Sequence, residues 1–274
     1  MITELFQYEF FINALWTALF SSITCGIIGA YIVSNRIVFL SGGITHSSFG
    51  GIGIGYYLGI NPIIGAAVFS VLSGLGIEFF SRKGEVRYDS MIGIWWSLGM
   101  ALGIIFIYLT PGYAPNLMTY LFGSILSVST GDLIFMAILA GVVILFFILF
   151  YHTILFISFD ESYARVFGLP VNAMKNILIG LVALTIVINI KVVGIILLIS
   201  LLTIPQAIAN HFTQRFEKMI YYSTITAFVG VISGLLFSYQ FDVPSGAFII
   251  FALVVLFALV KLVLSLKKRF FTYK

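Results

Sequence analysis

The sequence predicts an all-α fold, a polytopic bundle of membrane-spanning helices, and three observations carry that prediction. Of 274 residues 61% are hydrophobic and only 9% charged, whereas about 25% of a soluble domain is charged. Apolar stretches of roughly 18 or more residues, long enough to cross a bilayer as a helix, recur from end to end. The basic residues sit at the ends of these stretches, where they anchor and orient a membrane protein. The three together imply one membrane domain over residues 1–274.

Breaks at charged or turn-forming residues divide the chain into spans near 10–33, 37–58, 62–80, 91–109, 131–151, 174–190, 192–210, 220–238 and 246–265, so the count is eight or nine. The stretch "LMTYLFGSILSV" (117–128) is too short to cross and is expected to lie at a surface or re-enter. If "SRKGEVRYDS" (81–90) is cytoplasmic, alternation also places 152–173, 211–219 and the C-terminal "LKKRFFTYK" in the cytoplasm, and Lys191 becomes the one external cation among 14 Lys and Arg. That asymmetry puts the N-terminus outside and the C-terminus inside. The connections "TPGYAPN" (110–116) and "SYQFDVPSG" (238–246) are then short external docking surfaces.

Composition also narrows function. The formal charge of +4 needs no nucleic-acid partner, because the cations serve as membrane anchors. Cys25 is the only cysteine, which excludes an internal disulfide and a cysteine metal cluster and reads as a small buried residue. "MITELFQYEF" carries two acids and no base, so the first helix is expected to be retained rather than cleaved as a signal peptide. No phosphate loop, His-Glu-x-x-His or Gly-x-Ser-x-Gly pattern occurs, so the chain is not expected to be an enzyme. Carboxylates at mid-membrane, which ion-coupled carriers use as relays, are also missing: Glu78 and Asp132 fall near span ends. Any energy from ATP would have to come from a partner.

Two segments stand out from the apolar background. In "FLSGGITHSSFGGIGIGYYLG" (39–59), Gly51-x-x-x-Gly55-x-x-x-Gly59 reads as a small-residue seam for close helix packing. Gly42 and Gly43, beside Ser41, Thr45, Ser47 and Ser48, suggest an irregular helix start inside the membrane. His46 is the one histidine well inside a span, and an intramembrane imidazole reads as a ligand or pathway residue before a packing one. In "FISFDESYARVFGLPVNAMKN", Asp160 or Ser158 can cap a short helix with Glu161 in its first turn, Arg165 in its last, Gly168 as C-cap and Pro170 as terminator. By charge and caps alone this is a solvated surface helix that projects like a lever.

The chain resembles the permease subunits of ATP-binding-cassette importers for zinc, manganese and iron. Five blocks occur in order over nearly its whole length: "SGGITHSSFGGIGIGYYLG", "MTYLFGSILSVSTGDL", "SFDESYARVFGLPV", "VVGIILLISLLTIPQAIA" and "FDVPSGAFIIF". The resemblance implies a multi-pass protein of the bacterial cytoplasmic membrane with a type II importer architecture. It implies a second copy of the permease, a cytoplasmic ATPase dimer holding the ATP, and an extracytoplasmic binding protein that delivers a divalent metal ion. No cofactor is expected to stay bound. It also makes 158–170 the coupling helix, with Ser158, Asp160, Glu161, Ala164, Arg165, Gly168, Leu169 and Pro170 at the ATPase contact. A related permease for iron chelates or a vitamin, with His46 structural, is the alternative.

One departure from the family pattern bears on the cargo. Many members have an Asp four residues before the histidine, one helical turn away, and this chain has Gly42 there. His46 would then act as a transient ligand with hydroxyls of Ser41, Thr45 or Ser47. Imidazole without carboxylate favours zinc over manganese, the weakest binder of the divalent series.

Overall fold

The structure, a computed structural model, describes residues 7–82, 84, 86–111 and 118–271. Every regular element among them is helical. The first four are α1 (Glu9–Ser34), α2 (Val38–Tyr57), α3 (Pro62–Arg82) and α4 (Tyr88–Leu109). A short α5 (Met118–Phe122) precedes α6 (Thr130–Leu149), α7 (Tyr151–Phe159) and α8 (Glu161–Val166). Then follow α9 (Val171–Val193), α10 (Ile195–Leu201), α11 (Ile204–Phe212), α12 (Phe216–Phe241) and α13 (Ser245–Phe271).

Among the described residues, eight helical stretches are long and apolar enough to cross a membrane, with α10 and α11 counted as one. The 20-residue α2 is not one of them, because glycines and hydroxyls dilute its apolarity. It is packed between α3 and α4 with most of its residues buried. A helix enclosed by protein has no need of the apolar surface that lipid demands.

Two ends of the bundle are tied by contacts. One end joins Asn35 to Ser158, where the Asn35 amide donates to the hydroxyl at 3.0 Å, and Arg82 to Asn176 at 3.3 Å. This end carries Arg82, Arg87, Arg165, Lys175 and Arg215, and is the cytoplasmic one by the distribution of positive charge. At the other end the Asn13 amide donates to the Val128 carbonyl at 3.2 Å. There Lys191 pairs with Asp132 at 2.6 Å, and Ser129 and Asp132 form a capping box at the start of α6.

Several expectations need correction. The helix does not begin irregularly at Gly42 and Gly43: α2 is regular from Val38, and neither glycine has a positive φ. Gly59 is not in the packing seam. It lies beyond the helix end at φ 67°, a left-handed turn residue with nothing near its missing side chain. The span expected over 192–210 is broken, with Gly194 at φ 82° before α10 and a second interruption at Leu202–Thr203. Helical structure in the lever covers only 161–166, while Ser158 lies in the last turn of the preceding α7, which ends at Phe159. The stretch 117–128 starts with α5 and then docks backbone to backbone, Gly123 against Gly194, with Ser124 N–H donating to the Val192 carbonyl at 3.1 Å. Most of the expected loop 110–116 lies outside the described residues.

Small residues decide how the helices meet. A Cβ on Gly51 would stand 2.1 Å from the Gly65 carbonyl oxygen of α3, and one on Gly53 would stand 2.4 Å from that of Gly103 in α4. On the α4 side, Gly99 lies equally close to the Ser47 backbone. Because lipid is as apolar as the side chains, close van der Waals contact between backbones is what holds helices together here. The three helices α2, α3 and α4 therefore form one tightly fitted unit.

Candidate functional site

His46 lies midway along α2 and is half-buried, while its flanking residues on the helix are fully enclosed. Its imidazole stacks on the Trp96 indole of α4, with ring centroids 4.2 Å apart and planes 6° from parallel. One ring nitrogen, Nδ1, is buried and has no hydrogen-bond partner. A buried unpaired ring nitrogen carries a desolvation cost and is chemically available to a ligand.

Gly42 shares this face one turn earlier and is likewise half-buried. A Cβ there would meet only Trp96 Cζ3 at 3.9 Å, an ordinary contact. The missing side chain thus leaves open space bounded by the indole. Its absence reflects neither a special backbone shape nor crowding.

The three hydroxyls expected beside His46 are not brought to it. Ser41, Thr45 and Ser47 are fully buried, and each donates back to a carbonyl of its own helix: to Val38 at 2.7 Å, Ser41 at 2.6 Å and Ile44 at 3.0 Å. They satisfy themselves locally, as hydroxyls in membrane helices do. Among the described residues, no three His, Cys, Asp or Glu side chains gather where they could hold a metal ion.

The second cluster is the cytoplasmic lever. Asp160 caps α8, accepting from Tyr163 N–H at 2.9 Å. Glu161 pairs with Arg165 at 2.6 Å and also with Lys175 of α9, and Arg165 donates to Asn172 at 2.8 Å. Gly168 closes the helix at φ 73°, with Leu169 N–H returning to the Ala164 carbonyl at 3.1 Å. Pro170 then caps α9, and Ala164 is the one residue of α8 fully buried against the bundle. Burial tends to raise the Glu161 carboxyl, but Lys175 and Arg165 outweigh it and hold the group below the usual glutamate range.

Several residues of these sites escaped sequence reading. Around the lever, Phe159 and Val166 are 82% and 85% exposed, with Phe167 and Tyr163 beside them. Large apolar side chains offered to water at a capped, rigid helix suit a protein partner. Their signal was that no residue within "FDESYARVF" could cover them. Trp96 and Lys175 carried fainter signals, an indole inside a span and a lone cation shortly after a helix start.

The comparisons with known proteins agree with one another. The sequence model of the ABC 3 transport family matches residues 7–264. An uncharacterised membrane protein of Synechocystis, slr2045, is 43% identical over 91% of this chain and 89% of its own. The manganese transport system membrane protein MntC of Listeria monocytogenes is 37% identical, over 92% and 90%. Among solved structures, PsaBC from Streptococcus pneumoniae in complex with Fab superposes with a TM-score of 0.84 at 30% identity, covering 95% of each chain.

Proposed function

The chain belongs to the ABC 3 transport family and is a membrane permease subunit of a metal transporter, and from that premise we propose that it imports divalent manganese by alternating access. The relatives named as manganese transport proteins support this cargo. In this reading a binding protein delivers the ion to the external face, two permease copies enclose the path, and a cytoplasmic ATPase supplies the energy through α8. The observation that carries the reading is His46, a half-buried imidazole with an unpaired nitrogen at membrane depth, on the helix that the glycine seam holds in place. An ionisable group at that depth is costly and by default marks a functional site.

A second reading, zinc, is favoured by one specific observation. The donor beside Gly42 on the open face of α2 is imidazole, with Gly42 where the family pattern has a carboxylate, and nitrogen donors suit zinc while manganese leans on oxygen.

The test is reconstitution of the permease with its ATPase and binding protein in proteoliposomes, measuring ATP-driven uptake of each metal. Uptake of manganese ahead of zinc supports the first reading, and the reverse order supports the second. Uptake of neither, with uptake of a metal chelate, would overturn both.

A further inference from the structure

A run of charged side chains crosses three elements at the cytoplasmic end. Lys175 Nζ of α9 lies between the Glu161 carboxylate of α8 and the Glu78 carboxylate of α3, the latter at 3.8 Å. Glu78 Oε1 in turn accepts from Arg82 at 2.9 Å, and Arg82 reaches Asn176, next to Lys175, at 3.3 Å. Glu78, Glu161 and Lys175 border a cleft of about 370 Å³ that Tyr31, Asn35 and Tyr88 also line. The end nearest the bundle is the more enclosed: the Glu78 side chain is 12% exposed and that of Glu161 36%.

We propose that Lys175 is a positioning residue that ties the lever to the helix unit carrying His46, so that displacement of α8 reaches α3 through Glu161, Lys175, Glu78 and Arg82. This rests on the reading of α8 as the ATPase contact. The placement supports it at each step. The lever packs on the adjoining ends of α7 and α9, and α9 in turn packs on both α2 and α3. The charged chain grips α3 in its last turns, and α3 meets α2 backbone to backbone at Gly51 and Gly65. A pull on the end of α3 therefore moves the imidazole-bearing helix with it. Above the chain, α9 and α3 also pack directly, with the Ile179 side chain seated in the notch left by Gly74. The Glu161–Lys175 and Arg82–Glu78 links are charge-assisted hydrogen bonds, which are directional, and the 3.8 Å Lys175–Glu78 ion pair joins the two. Glu78 is held on its own helix by Arg82, so the carboxylate stays oriented toward Lys175.

The experiment uses the full complex of permease, ATPase and binding protein in proteoliposomes and reads metal moved per ATP hydrolysed. Lys175→Met should lower that ratio several-fold while the ATPase still co-purifies, and Lys175→Arg should keep most of it. Glu78→Gln should lower the ratio in the same direction, and it decides the matter should Lys175→Met fail to insert. An unchanged ratio in the inserted variants overturns the proposal, as does loss of the ATPase from Lys175→Met, which would make Lys175 part of the docking surface. The docking reading has its own readout. If Phe159→Asp with Val166→Asp leaves the ATPase bound and active, that reading fails, whatever the ratio shows for Lys175.

Discussion

The His46 imidazole and the Trp96 indole lie face to face, 4.2 Å between centroids and 6° from parallel. The two helices that bear them can bring the rings so close because Gly99 and Gly103 remove side chains from the crossing. Stacking fixes the ring plane of His46 and, with it, the direction of its nitrogens. His46→Ala should abolish or strongly reduce metal uptake with the protein still in the membrane. Trp96→Leu should retain uptake but raise the half-saturating metal concentration, because the imidazole must then be ordered by the ion itself. Equal kinetics in Trp96→Leu and the unaltered protein would remove the indole from the site.

Gly42→Asp should be tolerated, since its Cβ meets only Trp96 Cζ3 at 3.9 Å and the position is ordinary helix. It places a carboxylate one turn from His46 and should raise manganese uptake relative to zinc. Competition between the two metals in cells lacking other importers measures the ratio.

Gly168→Val forces a β-branched side chain onto φ 73°, at a cost of about 1–2 kcal/mol. The lever should lose its closing turn, and transport should fall while membrane insertion, followed by quantitative immunoblot, is kept. Arg165→Glu should act in the same direction, since it removes the partner of Glu161 and Asn172 together.

Gly51→Leu should prevent assembly of the α2, α3 and α4 unit, because a Cβ would lie 2.1 Å from the Gly65 carbonyl oxygen. Gly93→Ala, with nothing within 4 Å of its Cβ, is the neutral control. Size-exclusion profiles in detergent distinguish them.

Glu161 gives a pH dependence of defined sign. Its carboxyl is held below the usual glutamate range in the folded protein by Lys175 and Arg165, despite the opposing effect of burial. The stability it contributes is present above the unfolded value of about 4.3 and is lost as pH falls through the lower folded value. Melting temperatures of the purified permease should decline on that acid side, and Glu161→Gln should lack part of the decline.

The lever was legible in the sequence residue by residue, since Asp160, Glu161, Arg165, Gly168 and Pro170 act within one short segment through caps and a left-handed turn. Hydropathy found the spans for a similar reason: the bilayer imposes its demand on each helix separately. The sequence reading missed the regular start of α2 and the breaks in the 192–210 span, where protein replaced lipid as the neighbour. There Ser41, Thr45 and Ser47 turn to their own carbonyls, and the break after Leu201 is met by Gln206, whose amide donates to the Cys25 and Leu201 carbonyls. The sequence by itself determined which stretches cross, which way they point and where one histidine interrupts them, because local composition and charge fix those properties. Only the tertiary structure decided that Trp96 covers His46, that Gly42 opens onto free space, and that Lys175 stands between Glu161 and Glu78. Those relationships join residues far apart in the chain, and they exist only once backbone contact at the glycines has set how the helices cross.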